Sequence, residues 1–445
     1  MMPFRTIPAA LPFALLSTLI AGCRAVEPER PNVVLIVIDT LRADHLGAFG
    51  YERATSPHLG RLMDEGTVFT HAVSPSSQTV PVMASVLTGL YPSETSVHYY
   101  GDKSSFDGVH PWSEAGPYVD GSLDLLSERL HELGYETGAV VANPWIREEF
   151  GFGQGFDEFI ALDCGDACDG RNVVDAGIDF IEARATDAPF FLYLHFMDVH
   201  NPYRKPARTK GIFLKEKERQ DFYRNGPTPP MSPRDLADMQ ALYDEGILYV
   251  DAQIGRFTRR LDELSPPERT LLAVLSDHGD EFDEHGGLGH GTTLYQELIS
   301  SFLLLRRPPV LPAERIDTPV SLADLAPTIL DLVDGDRPTS GRSLLSGTDD
   351  GARWLLSELG PVKSVQRDGW KLILDIEAGK SELYHLPTDP EETKDLATMN
   401  PKITREWMRT LSRFVAGAKP PSPDVPNEPV DEALREKLRA LGYVE

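Results

Sequence analysis

Residues 33–38 (VVLIVI) form an unbroken apolar run, mostly β-branched, that ends in Asp39. Apolar runs without alternation fit strands buried on both faces, as in a parallel sheet. The same texture returns three times. Residues 139–142 (AVVA) lead to Asn143, residues 190–196 (FFLYLHF) lead to Asp198 and His200, and residues 271–275 (LLAVL) lead to Asp277 and His278. Helical patterns occupy intervening stretches such as 121–133 and 235–264. Strands alternating with helices predict an α/β fold, with a mostly parallel central sheet flanked by helices. Open sheets of this kind bind ligands beyond the carboxyl ends of their strands. Four strands that end in Asp, Asn or His therefore aim their chemistry at one edge.

The texture changes after residue 310. A helix is expected over 322–333, followed by the turn Gly341-Arg342-Ser343. Residues 361–386 alternate short strand-like runs with the turns Asp368-Gly369 and Ala378-Gly379, which predicts a smaller antiparallel sheet. Five prolines in 419–430 read as a linker, and the last fifteen residues resume an amphipathic helical pattern. At the other end, Arg5 precedes an apolar run over 7–20 that is too short to span a bilayer. The run ends in Leu19-Ile20-Ala21-Gly22-Cys23, which resembles a bacterial lipoprotein signal. The expected organisation is a signal peptide (1–23), a tether (24–31), a catalytic domain (32–310), a C-terminal subdomain with the small sheet (311–412), and a proline-rich linker with a terminal helix (413–445). Lipid on Cys23 would hold the chain on a membrane of the bacterial cell envelope, periplasmic or surface-exposed, without spanning it.

Composition narrows the function. With 43 basic and 69 acidic side chains the formal charge is −26, which repels nucleic acid and argues against it as a partner. Three cysteines rule out a disulfide-dense scaffold and a four-cysteine metal site within one chain. With Cys23 acylated, Cys164 and Cys168 remain as a local pair, expected to form a disulfide or, less readily, to hold a structural metal. The basic, proline-bounded stretch 204–232 reads as a solvated loop, with a lid that draws in an anionic substrate as the alternative.

Thr79 is followed by Pro81 and by a run able to form a helix through Leu87, closed by Gly89. Thr is a good N-cap and Pro suits the first turn, so the hydroxyl is expected at the positive end of a helix, beside free N–H groups. Such an end is an anion site, although simple capping would need the same residues. Together with Asp39, Asp277 and His278, Thr79 can enclose a divalent cation. A metal-bound Thr alkoxide would attack a phosphorus or sulfur centre.

At these residues the chain resembles the sulfatase family of the alkaline-phosphatase-like superfamily. Pro31-Asn32-Val33-Val34 through Asp39, Thr40, Leu41, Arg42, Asp44 and His45 is similar to the family's opening strand and first metal aspartate. Thr88-Gly89-Leu90-Tyr91-Pro92 is similar to the tail of its nucleophile motif, and the segment 190–203 to the strand carrying a substrate-facing His, here His200. Ser276-Asp277-His278-Gly279 and Gly289-His290-Gly291 resemble the second metal cluster and the basic group after it. Glu382-Leu383-Tyr384 with Asp389-Pro390-Glu391 resembles the C-terminal small-sheet signature. The resemblance implies Asp39, Thr79, Asp277 and His278 as metal ligands, Thr79 as nucleophile, and His200 and His290 on substrate or leaving group. Thr40 and Asn143 are expected as substrate contacts. Asp198 is expected either to ligate a second metal or to orient a loop, and His195, Asp280, Glu281 and His285 to lie behind the site or on the surface.

One departure alters the expected chemistry. The family's Cys/Ser-x-Pro-x-Arg motif is converted to formylglycine, but here Thr79 stands at the convertible position and Met83 at that of the Arg. Formylglycine is therefore not expected, nor is the family's Gly-Lys-Trp-His segment present. A threonine ester cannot collapse to an aldehyde and must be hydrolysed at phosphorus or sulfur. Superfamily members that use Thr act on phosphoryl groups. The resemblance thus implies a hydrolase or transferase of phosphate or phosphonate esters with one divalent ion. Calcium is favoured by the sulfatases, manganese or zinc by the threonine. Sulfuric ester hydrolysis without formylglycine is the runner-up, and a non-catalytic surface lipoprotein is the alternative of another class.

Overall fold

The structure, a computed structural model, describes residues 30–95, 97, 118–162, 169–203, 209–215, 231–333, 339–346 and 353–419. The expected signal peptide with Cys23, nearly all of the tether, Cys164 and Cys168, most of 204–232 and the proline-rich tail lie outside the described residues.

The large sheet is built from β1 (Asn32–Ile38), β2 (Thr67–Val73), β3 (Glu136–Val141), β4 (Glu158–Ala161), β5 (Phe190–Phe196) and β6 (Thr270–Ser276). A two-stranded hairpin follows, β7 (Glu281–Phe282) with β8 (Leu288–Gly289). The large sheet is completed by β9 (Ser300–Arg306), β10 (Glu314–Ile316) and β11 (Val320–Ser321). Its order is β10-β2-β9-β6-β1-β5-β3-β4, with β11 also on β2. Strands β4, β3, β5, β1 and β6 run parallel. Strand β9 is antiparallel to both neighbours, so the sheet is mixed but mostly parallel.

The unbroken apolar runs follow from burial on both faces. In β1 the side chains of Val33, Leu35 and Val37 enter one core, and Val34, Ile36 and Ile38 enter the other. Helices α1 (Pro57–Glu65), α2 (Thr79–Thr88), α3 (Leu126–Glu132), α4 (Gly170–Ala183), α5 (Pro233–Leu264) and α6 (Leu325–Val333) cover the sheet. Helices α2, α3 and α6 share the first core and α1, α4 and α5 the second. Among the described residues no helix is long and apolar enough to cross a membrane.

The small sheet is antiparallel as expected: β12 (Leu355–Leu359), β13 (Val362–Arg367), β14 (Trp370–Asp375) and β15 (Lys380–His385). Helix α7 (Pro401–Gly417) closes it, packing Trp407 and Leu411 against Leu356, Val365, Leu372 and Leu383. Two expected boundaries move. Strands β10 and β11 pair with β2, and α6 packs in the core of the large sheet, so residues 311–333 belong to the catalytic layer. Helix α7 runs to Gly417, beyond the expected end at 412.

Register brings the chemistry together. Ile38 pairs with Phe196 on one side and Ser276 on the other. Asp39 and Asp277 therefore leave the sheet side by side. Gly279 keeps the turn after Asp277 tight, since a Cβ there would lie 2.0 Å from the carbonyl oxygen of Glu297.

Candidate active site

Asp39 and Asp277 are fully buried at adjacent strand ends. Asp39 Oδ2 accepts from Asn143 Nδ2 at 2.7 Å and lies 3.1 Å from His195 Nε2. Burial pushes the Tyr193 hydroxyl far above its usual range, so it stays protonated; it lies 2.5 Å from His195 Nδ1. Tyr193 donates to Nδ1, which assigns the proton on Nε2 to the bond with Asp39. Asp277 Oδ1 accepts from the backbone N–H groups of Thr40 (3.0 Å) and His278 (2.8 Å). The other oxygens, Asp39 Oδ1 and Asp277 Oδ2, are buried without a hydrogen-bond partner among the described residues, as is Thr40 Oγ1. A carboxylate oxygen from each Asp and a ring nitrogen of His195 lie within 4.8 Å of one another.

Buried carboxylate oxygens without donors are costly unless a cation meets them. The donor set therefore fits a divalent ion. The pair is split electrostatically. Burial and then the charge of Asp39 raise the Asp277 carboxyl above its usual value. Asp39 is held below its own: burial opposes this, but the hydrogen bond from His195 and the nearby imidazoles outweigh it.

Thr79 is the first residue of α2, not its N-cap. The extended backbone of Gln78 (φ −134°) takes the cap position, without a side-chain capping bond. The Thr79 hydroxyl is thereby released and lies 3.2 Å from His278 Nε2. His278 Nδ1 is 3.0 Å from the Gly279 carbonyl, which assigns its proton there and leaves Nε2 as the acceptor facing Thr79. His278 Nε2 also lies 3.4 Å from Asp277 Oδ2. Thus the hydroxyl, the imidazole and the carboxylate pair form one cluster at the positive end of a helix. Met83 is fully buried in the apolar core and presents no polar group to the cluster.

His200 and His290 meet edge to face with ring centroids 4.9 Å apart, and His290 lies 4.6 Å from the ring of His278. His290 Nδ1 is 2.7 Å from Asp280 Oδ1, while Tyr203 donates its hydroxyl to Asp280 Oδ2 at 2.7 Å. Burial alone would raise Asp280, but the hydrogen bond and charge of His290 hold it below the usual carboxylate range. His200 donates Nδ1–H to the Asn201 carbonyl, and burial pulls its imidazole down to about 4, so it is neutral near pH 7.

A family model described as Sulfatase matches residues 31–335. The chain belongs to the sulfatase family. It is accordingly a hydrolase acting on ester bonds, in a family whose enzymes use a metal ion. The arylsulfatase of Clostridium perfringens is 25% identical over 372 residues, which span 71% of this chain and 77% of that one. BT4656, solved in complex with its substrate D-glucosamine-2-N,6-O-disulfate, shares the fold with a TM-score of 0.71 at 19% identity, covering 88% of this chain and 99% of that one. The phosphonate monoester hydrolase of Agrobacterium radiobacter does so with a TM-score of 0.70 at 19% identity, covering 87% and 96%.

Within this family frame, some residues fall where the sequence reading did not put them. Asn143 was expected to touch substrate. It is 2% exposed, donates to Asp39 and accepts from the Trp145 backbone N–H at 2.7 Å, so its amide is spent on the carboxylate. Asp198 accepts from the backbone N–H of Gly170 at 2.8 Å, at the start of α4, and orients that loop as one of its two readings required. His195, expected behind the site or on the surface, instead joins Asp39 and Asp277 in the buried donor cluster, with its Nε2 3.1 Å from Asp39 Oδ2. The Asp280–His290 pair is the part that sequence reading missed. Its signal was the ten-residue spacing between an Asp and a His of the same hairpin segment, which carries no meaning until β7 and β8 bring the two together.

Proposed function

We propose that the protein hydrolyses phosphate or phosphonate esters, with Thr79 as the nucleophile. The observation that carries this reading is the Thr79 hydroxyl, 3.2 Å from an acceptor nitrogen of His278 and beside two carboxylates with unpartnered oxygens. Asp39, Asp277, His278 and Thr79 are the groups that would hold the ion. When bound, a divalent ion supplies Lewis acidity to the phosphoryl oxygens and to the Thr79 oxygen.

The remaining chemistry belongs to the side chains. As Thr79 Oγ bonds to phosphorus, its proton is released to solvent and the bond from phosphorus to the leaving oxygen breaks. His290, oriented by Asp280, protonates that oxygen. Water then attacks phosphorus in the covalent Thr79 ester, passing a proton to the spent His290, and the Thr79 oxygen leaves and regains its proton from solvent. The N-terminal amides of α2 stabilise the equatorial oxygens. Neutral His200 is suited to accepting from a substrate hydroxyl or to orienting His290.

The Agrobacterium phosphonate monoester hydrolase supports the phosphonate reading by fold, and the Clostridium arylsulfatase keeps sulfate esters as the second reading. Manganese or zinc suits the phosphoryl reading, and calcium the sulfate one. The Cys23 signal supports a lipid-held location on the cell envelope.

The test is parallel turnover of p-nitrophenyl phosphate, a p-nitrophenyl phosphonate, bis-p-nitrophenyl phosphate and p-nitrophenyl sulfate. We expect a phosphonate or phosphate ester to lead. A wild-type preference for sulfate that disappears in Thr79→Ala would overturn the substrate and keep the nucleophile. The acid has its own test. Asp280→Asn should lower kcat by ~100-fold for an alkyl leaving group, which needs a proton, and far less for p-nitrophenolate, which does not. Equal losses on both would remove His290 from the acid role.

A further inference from the structure

A second group of metal-type donors lies beyond the catalytic turn. A carboxylate oxygen of Glu281, a ring nitrogen of His285 and a carboxylate oxygen of Glu297 lie within 4.8 Å of one another. Glu281 is 1% exposed. Its Oε1 accepts from the backbone N–H groups of His285 (2.9 Å) and Gly287 (2.8 Å), while its Oε2 is buried with no hydrogen-bond partner among the described residues. Gly287 leaves that oxygen its room, since a Cβ there would stand 2.6 Å from it. His285 Nδ1 is 2.7 Å from Glu297 Oε1, and its ring stacks on Tyr295 with centroids 3.6 Å apart.

Charge does not balance within this pocket. The nearby buried cation, Lys371, is 2.7 Å from Glu392 and is matched by it. Arg42 is taken by Asp44 and Glu284. Glu281 and Glu297 are left facing a single imidazole. Glu297 favours the charged form of the His285 ring, yet one imidazole can balance only one of two largely desolvated carboxylates, so a compensating positive charge is still called for.

We propose that Glu281, His285 and Glu297 form a second divalent-cation site of zinc type, separate from the catalytic carboxylates and independent of the reaction assigned to them. One imidazole with two carboxylates is a donor set for a borderline transition ion, and zinc is bound by these three groups with an open position for water. The ion braces the hairpin. Glu281 directly follows Asp280, the partner of His290, and Glu297 lies in the segment whose carbonyl crowds Gly279. His285 Nε2 lies 3.4 Å from the carbonyl oxygen of Glu392, and Glu392 Oε2 accepts from the Gln296 backbone N–H at 2.6 Å. The site thus ties the catalytic turn to the small C-terminal sheet. The competing arrangement is a proton shared between His285 and Glu297, with no ion.

The test is zinc content per chain after loading the full-length protein with zinc and dialysing away the excess. The variants are Glu281→Gln, His285→Ala and Asp39→Asn/Asp277→Asn. We expect two equivalents in the wild type and one in each variant, with zinc raising the melting temperature of Asp39→Asn/Asp277→Asn. Equal zinc content in wild type, Glu281→Gln and His285→Ala, with no thermal shift in the double variant, overturns the second site in favour of the shared proton. Failure of the double variant to lose an equivalent counts against the catalytic site instead. Glu281→Gln keeps the size and the Oε1 bonds of the native side chain, so it reports even where His285→Ala does not fold.

Discussion

Thr79→Ala lowers kcat on an activated phosphonate ester by ~10⁴-fold or more, the scale on which loss of a covalent nucleophile is felt. The protein stays folded. Thr79 is 4% exposed at the start of a helix whose every residue is buried, and what the change removes is one hydroxyl and one methyl. The lost hydrogen bond to His278 is worth about 1 kcal/mol, so the melting temperature moves by only a few degrees. Thr79→Ser separates nucleophile from scaffold. Serine restores the oxygen but not the methyl that fixes χ1, so it should recover most of the loss and remain roughly 10-fold below wild type. A phosphorylated Thr79 peptide, trapped by acid quench in the wild type and absent from Thr79→Ala, identifies the attacking atom. Retention of turnover within ~10-fold in Thr79→Ala would mean that water attacks directly, and the covalent route would be lost.

The catalytic edge could be read from sequence because its code is local. An apolar run followed at once by Asp or His says both that the strand is central and that its end is chemical. Strands β1, β5 and β6 are central in the sheet, and Asp39, His200 and Asp277 are buried just beyond their ends. Strand β2 (TVFTHAV) hid behind its polar positions, Thr70 and His71, which are only partly buried or exposed. Strand β9 (SSFLLLR) has the apolar run but reverses direction, which a βαβ reading does not anticipate. The small sheet was legible from its Gly turns, although its first strand, Leu355–Leu359, precedes the expected start at 361 and the subdomain boundary at 311 was set too early. The two- and three-residue strands β10 and β11 are too short to show a period, and only their pairing with β2 gives them to the large sheet. At the site, residue types pointed to the cluster but not to the partners. Asn143 faces Asp39 because its side-chain oxygen is fixed by the Trp145 N–H, a contact with no signature in spacing.

Asp277→Asn is expected to do two opposite things, and together they are diagnostic. In the metal-free protein it stabilises. Burial and the Asp39 charge raise the Asp277 carboxyl, so the folded state prefers this group neutral. For an acid raised on folding, stability is greatest below the unfolded value, here 3.8, and falls as pH climbs from there through the folded value. The metal-free wild type should therefore melt lower at pH 7 than at pH 4.5 as far as this group decides, while Asp277→Asn should lose that slope and melt higher near neutrality. The amide keeps an acceptor for the Thr40 and His278 N–H groups and presents a donor where Oδ2 had no partner. Asp39 works in the other sense: it is held below its usual value, so its contribution is lost only in acid. Adding manganese, zinc or calcium reverses the ranking. At ~100 times Kd an ion stabilises the wild type by about 2.7 kcal/mol, whereas the variant, short of one charged ligand, gains little of this from the catalytic site and loses turnover by ~10³-fold or more. Melting curves with chelator and with each ion, in both proteins and at both pH values, decide the matter. Equal ion-induced shifts in wild type and Asp277→Asn would show that the unpartnered oxygens of Asp39 and Asp277 hold no cation.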